Sequence, residues 1–226
     1  MGKLNFYLIP GMGADRRIYS KFNLKNGVIH YLDWQSPNEA VDMPTFAMEV
    51  AKRITTENNI IIGSSMGGMM AVELSRIVKP LATILISAPV GVHQFPRILK
   101  AVKASRIHRA VSPNSIRYFY KFADTFMGFK SQQQRDMFYQ MISELGPQFV
   151  HFSVRAVLEW KNTTPPHGNF IQIIGSKDVL FDYKKMESPI VLEGGGHFSC
   201  FDRADEVCEI INKHMENEIL KFDVTN

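Results

Sequence analysis

The chain has 226 residues, of which 45% are apolar and 21% charged; this excludes a disordered chain and suffices for one well-buried core with an insertion. No stretch approaches 18 apolar residues, so a membrane-spanning helix is not expected, and Cys200 and Cys208, without a CxxC or Cys/His grouping, imply neither a disulfide framework nor a zinc site. The formal charge of +4 is uneven: residues 93–161 carry +7 and the remainder −3, so the basic character belongs to one segment.

In chain order, Leu4 to Ile9 reads as a first strand, too short for the apolar region of a secretion signal, and a cytoplasmic location is the expectation. It runs into the loop Pro10-Gly11-Met12-Gly13. A second strand is expected over Val28 to Trp34 and a helix over Glu39 to Thr56. Ile60 to Gly63 then reads as a short buried strand, and Met66 to Ile77 as a helix with Met70, Leu74 and Ile77 along one face.

Between these two lies Gly63-Ser64-Ser65-Met66-Gly67, a G-x-S-x-G pentapeptide in the strand-to-helix context that a nucleophile elbow needs. So sharp a turn forces its central residue, Ser65, into a strained conformation and makes it stand clear of the sheet edge. Side chains two positions either side would collide, which makes Gly63 and Gly67 a steric requirement. The plainer alternative is a Gly/Ser-rich turn without chemistry. Ser64 is the lesser candidate, because Ile62 and Met66 stand where an elbow centred on it would need small residues.

Ala82 to Ser87 is a further strand, after which the rhythm breaks. From there to Phe170 the chain is aromatic-rich and helical, punctuated by Pro96, Pro113, Gly128, Gly146-Pro147 and Pro165-Pro166, which suggests about four helices. Such an insertion is most simply a cap over the carboxyl ends of the strands, hinged at Val90-Gly91 and Thr164-Pro165-Pro166. Some of Tyr118, Phe119, Tyr120, Phe122, Phe126, Phe129 and Trp160 should pack the cap and others roof a pocket. Arg97, Lys100, Lys103, Arg106 and Arg109 recur every third residue; a solvated surface is the plain reading, guidance of an anionic carrier the sharper one. No nucleic-acid-binding module accompanies the charge.

Strands return at Phe170 to Gly175 and Ile190 to Leu192, and Ala204 to Leu220 reads as a closing helix. Strand-helix alternation argues for an α/β fold with a parallel sheet covered on both faces. Past the first of these strands comes Gly175-Ser176-Lys177-Asp178, and past the second Glu193-Gly194-Gly195-Gly196-His197, so Asp178 and His197 would emerge at the same sheet edge as Ser65. A serine hydroxyl needs a base, a group to orient that base and donors for the oxyanion. His197, Asp178 and the backbone N–H groups of Met66 and Met12 are the candidates; Asp182 and Asp202 are acids that would substitute for Asp178, although Asp202 more simply caps a helix at Ala204. His30, His93, His108, His151, His167 and His214 lack the glycine loop and are weaker candidates for the base, with His93 placed to line a pocket.

In these four motifs and their order the chain resembles the α/β-hydrolase-fold serine hydrolases, of the capped carboxylesterase type, over nearly its full length. The resemblance implies a minimal, mostly parallel sheet of about six strands flanked by helices, with an all-helical cap inserted before the last two strands: core domain 1–89 and 168–226, cap 90–167. It implies a Ser65–His197–Asp178 triad, an oxyanion hole at Met12 and Met66, and no cofactor or metal. Two features depart from many relatives, which have His-Gly where this chain has Pro10-Gly11, and two further strands before the first one here. The expected activity is hydrolysis of a carboxylic ester with an apolar acyl or alcohol group through an acyl-enzyme. A thioesterase or a carbon-carbon hydrolase or lyase would use the same residues, and a non-catalytic ligand-binding protein would share the fold.

Overall fold

A computed structural model describes residues 3–35, 41–106 and 116–224, excepting the side chains of 116–119, 122 and 219–224. Six strands form one sheet: β1 (Leu4–Ile9), β2 (Gly27–Tyr31), β3 (Asn59–Ser64), β4 (Ala82–Ile86), β5 (Phe170–Gly175) and β6 (Ile190–Leu192). Their order is β2-β1-β3-β4-β5-β6, and every neighbouring pair is parallel. The register pairs Ile9 with Gly63 and Ser64 with Ile86, so the loops leaving β1, β3 and β4 emerge side by side. This is the six-stranded α/β fold that the alternation predicts.

Period-2 alternation divides the strand residues between two apolar cores. Tyr7, Ile9, Ile61, Leu85 and Ile174 face α1 (Met43–Ala51) and α2 (Met66–Val78). Phe6, Leu8, Ile60, Ile62, Ile84 and Ile173 pack with Val207 and Ile211 of α7 (Ala204–Val224). Strands buried on both faces need continuous apolar runs, which is why Ile60-Ile61-Ile62 carries no polar interruption.

Three boundaries differ most from expectation, one being the end of α1, at Ala51 rather than Thr56, where Lys52 caps the helix and the Arg53 and Ile54 N–H groups close tighter turns on Val50 and Ala51. Helix α1 begins at Met43 rather than Glu39, because the Asp42 side chain accepts the Thr45 N–H and Pro44 sits in the first turn, together fixing the start. Glu39 itself lies outside the described residues. Strand β2 stops at Tyr31: after the Leu32 N–H bonds the Leu8 carbonyl, Asp33 turns to Arg16 and Trp34 to Gly11, drawing the chain off the ladder.

Between β4 and β5, which are neighbours in the sheet, the chain makes the helical cap: α3 (Arg97–Ser105), α4 (Ile116–Phe126) and α5 (Gln132–Glu159). Gly146, at φ 78, breaks α5 just before Pro147, so among the described residues the cap has four α-helical stretches. Phe138, Met141 and Ile142 before the break join one core; Phe149, Phe152 and Ala156 after it join the other. The two stems of the cap are tied together on α2. Val92 N–H donates to the Asn162 carbonyl, Asn162 Nδ2 to the Val90 carbonyl, Arg76 to Asn162, Thr164 and Pro165, and Trp160 Nε1 to Glu73. Pro113, His108 and Arg109 lie outside the described residues, as do the side chains of Tyr118, Phe119 and Phe122. Among the described residues no helix is long and apolar enough to cross a membrane.

Candidate active site

Ser65 stands between β3 and α2 with φ 53 and ψ −117, a conformation that a residue with a side chain adopts only when its surroundings enforce it. Those surroundings are backbone. A Cβ added to Gly63 would overlap the Gly67 carbonyl, and one added to Gly67 would overlap the carbonyls of Ile9 and Pro10. The turn therefore closes only with hydrogen at both positions. Ser65 is partly exposed, whereas Ser64 is buried and its hydroxyl donates to Cys200 Sγ at 3.5 Å on the opposite side of the strand.

Asp178 leaves the end of β5, and its Oδ1 accepts the N–H groups of Leu180 (2.9 Å) and Phe181 (3.0 Å). That leaves Oδ2 to face His197 Nδ1 at 2.9 Å, and His197 Nε2 lies 3.0 Å from Ser65 Oγ. With the carboxylate ionised, Nδ1 carries the proton and donates it, which leaves Nε2 as an acceptor for the serine hydroxyl. The side chains of His197 and Asp178 are 2% and 0% exposed, so their interaction is shielded from bulk water. Asp182 caps a short 3-10 turn by accepting the Lys184 N–H and takes no part in this chain.

Two stretches of backbone lie next to Ser65: the start of α2 and the loop after β1. Met66 opens α2, where the first N–H groups have no intrahelical acceptor and the helix dipole favours negative charge. Gly11, whose peptide to Met12 carries the other N–H, passes so close to Ser65 that a Cβ on it would lie 3.3 Å from Ser65 Cβ. Ser65, His197 and Asp178 are thus gathered at the carboxyl edge of β3, β5 and β6, beside the loop that follows β1. Among the described residues no group of three or more His, Cys, Asp or Glu side chains is placed to hold a metal ion.

Residues 6–210 match the model of the Alpha/beta hydrolase family. The chain belongs to the alpha/beta hydrolase family. Solved structures with the same fold include a thermophilic esterase from Thermogutta terrifontis, 16% identical, with a TM-score of 0.68 over 96% of this chain and 92% of that one. They also include the RedJ thioesterase of the prodiginine biosynthetic pathway in Streptomyces coelicolor, 13% identical, with a TM-score of 0.65 over 94% and 90%. No curated protein matches this hydrolase in sequence.

Around the site of the hydrolase are residues that sequence motifs did not single out. Tyr19 is wholly buried and donates its hydroxyl to the Ile9 carbonyl at 2.7 Å; burial holds its ionisation well above the usual range, so it stays a neutral donor. Trp34 Nε1 donates to the Gly11 carbonyl at 3.0 Å. For Trp34 the sequence signal is a large polar-tipped aromatic just beyond a short apolar run; Tyr19, after Asp15-Arg16-Arg17-Ile18, has none. Asp202, expected to cap the helix at Ala204, instead ends α6 (Ser199–Asp202), accepts from Gln134 Nε2 of the cap at 2.5 Å and faces Lys130 at 3.7 Å. Of the basic series, Lys100 donates to the His93 carbonyl and Lys103 to the Trp160 carbonyl, so both stitch α3 to the cap's stems. A cavity of about 500 Å³ beside α3, separate from Ser65, is lined by Lys103, Arg106, Arg155 and Lys161 together with Asp42 and Glu159.

Proposed function

We propose that this hydrolase cleaves a carboxylic ester by nucleophilic attack of Ser65. His197 takes the Ser65 proton as Oγ adds to the carbonyl carbon, and the tetrahedral oxyanion is held by the N–H groups of Met12 and Met66. The imidazolium, stabilised by Asp178, then protonates the leaving alcohol. Water activated by His197 hydrolyses the acyl-enzyme and restores Ser65. The observation that carries this reading is the unbroken hydrogen-bonded chain from Asp178 through His197 to a Ser65 held at φ 53. Removing one oxyanion donor typically costs 10²- to 10³-fold in rate, so the two amides supply a large share of the acceleration. Phe181, 5.8 Å from the His197 ring, and Phe198 beside it favour a substrate with an apolar acyl or alcohol group.

A thioester is the second reading. The same attack serves it, the RedJ likeness favours it, and the basic cavity offers charge to an anionic carrier. Intact-mass detection of a fluorophosphonate adduct tests the shared core of both readings. Wild type should gain one adduct at neutral pH and Ser65→Ala none. A folded wild type that takes no label would refute an activated Ser65. Paired assays on an ester and the matching thioester then decide between the two.

A further inference from the structure

Met12 lies between Gly11 and Gly13, and glycine permits backbone conformations that other residues do not. A peptide plane next to glycine is free to turn over, which would swing the Met12 N–H away from Ser65. Something must hold the plane. A trans peptide is flat, and its C=O and N–H point in opposite directions. The N–H of Met12 and the C=O of Gly11 belong to one such plane, so whatever fixes the carbonyl aims the amide.

That carbonyl accepts two hydrogen bonds: the Ala14 N–H at 3.2 Å closes the turn, and the buried Trp34 indole donates at 3.0 Å from the loop after β2. Two residues back, Tyr19 holds the Ile9 carbonyl, and Pro10 in between fixes its own φ, so the approach to the plane is already rigid. The indole is itself wedged, with Phe46 of α1 at 6.1 Å and Phe149 of the cap at 5.6 Å between ring centroids.

We propose that Trp34 is a positioning residue for the oxyanion hole: its indole N–H, bonded to the Gly11 carbonyl, sets the Gly11–Met12 peptide plane and aims the Met12 N–H at the oxygen of the acyl group on Ser65. The inference rests on the serine-hydrolase reading above and extends it to a residue outside the hydrolase motifs.

Trp34→Phe keeps an aromatic ring in the site and removes the donor. With p-nitrophenyl butyrate as probe, kcat should fall roughly ten- to hundredfold, less than for outright loss of an oxyanion donor, with KM within about twofold. A butyl boronic acid, whose adduct with a serine Oγ places an oxygen in the oxyanion hole, should lose affinity by a similar factor. Phe152→Leu, which loosens the neighbouring rings of Phe46 and Phe149 without removing a donor, should keep kcat. Unchanged kcat in folded Trp34→Phe, unchanged boronic-acid affinity, or an equal kcat loss in Phe152→Leu would each overturn the proposal while leaving the Ser65 labelling intact. A wild type that neither takes the fluorophosphonate nor turns over the ester overturns the parent reading and this one with it. Should Trp34→Phe fail to fold, benzothienylalanine at position 34 preserves the ring shape with sulfur in place of N–H. The kcat loss is expected there too, and wild-type kcat would overturn the proposal.

Discussion

The edge of the sheet and the cap above it hold their shapes by different means. At the elbow, geometry is enforced by backbone against backbone: Gly63 faces the Gly67 carbonyl, and Gly67 faces those of Ile9 and Pro10, with no room for a methyl group. In the cap, apolar side chains of α5 pack into both cores, and polar side chains add tethers between its helices and the core. Gln134 bonds Asp202, Lys103 bonds the Trp160 carbonyl, Trp160 bonds Glu73, and none of the residues of α3 is fully buried. A close-packed backbone contact has no second solution, whereas a side-chain tether can be lost and remade. Under the proposed function, the elbow that holds the reacting serine is built the first way, and the cap beside it is held in part the second.

The sharpest way to break this comparison is to put a methyl group into the elbow. Gly63→Ala should cost about 4 kcal/mol or more, at least about 10 °C in Tm for a chain of this size, because the clash is with the Gly67 carbonyl, which the first turn of α2 holds in place. Fluorophosphonate labelling should vanish even where protein is recovered, since relief of the clash must move Ser65. A Gly63→Ala protein with wild-type melting and labelling would show that the elbow yields like the cap.

The same contrast explains what the sequence disclosed. The strands, the elbow and the loops bearing Asp178 and His197 were legible because each is a local pattern: apolar runs of strand length, glycines where sterics demand them, a turn after a strand. Fold class and family follow from these and are borne out by the sheet order and the family match. The start of α1 was misplaced because apolar spacing continues past a cap set by Asp42 and Pro44. Asp202 was misread for a deeper reason: its partner Gln134 is 68 residues away, and no periodicity records a contact between an insertion and the core. Trp34 and Gly11 are likewise 23 residues apart and on different strands' loops. Patterns along the chain encode which face a residue turns inward, not which polar atom it meets there.

A milder perturbation sharpens the comparison from the cap's side. Gln134→Ala removes a hydrogen bond to an Asp202 side chain that is 2% exposed, leaving that carboxylate the more distant Lys130 at 3.7 Å. The local cost should be about 1–3 kcal/mol. Because the tether joins cap to core, hydrogen exchange should rise across residues 132–145 while β3 and α2 keep their protection, and KM for an ester should shift more than kcat. A uniform loss of protection through the sheet would mean that cap and core unfold as one unit.

The smallest effect expected concerns the two thiols, and it tests how far cap motion reaches. Cys200 lies three residues after His197 and is buried; burial pushes its thiol up to about 12, so the thiolate is on the order of 10⁻⁴ of the population at pH 8. Burial raises Cys208 as well, with a backbone N–H from Asn23 opposing the rise. Neither should react with a disulfide reagent in the native protein, and both should react in denaturant. Cys200 is the informative one, since it shares α6 with Asp202, the cap's anchor on the core. If loosening the cap by Gln134→Ala left Cys200 unreactive while KM changed, the loop bearing His197 would be shown to stay closed beneath a moving cap. Reaction of Cys200 in that variant alone would place the base of the site on the mobile side of the divide.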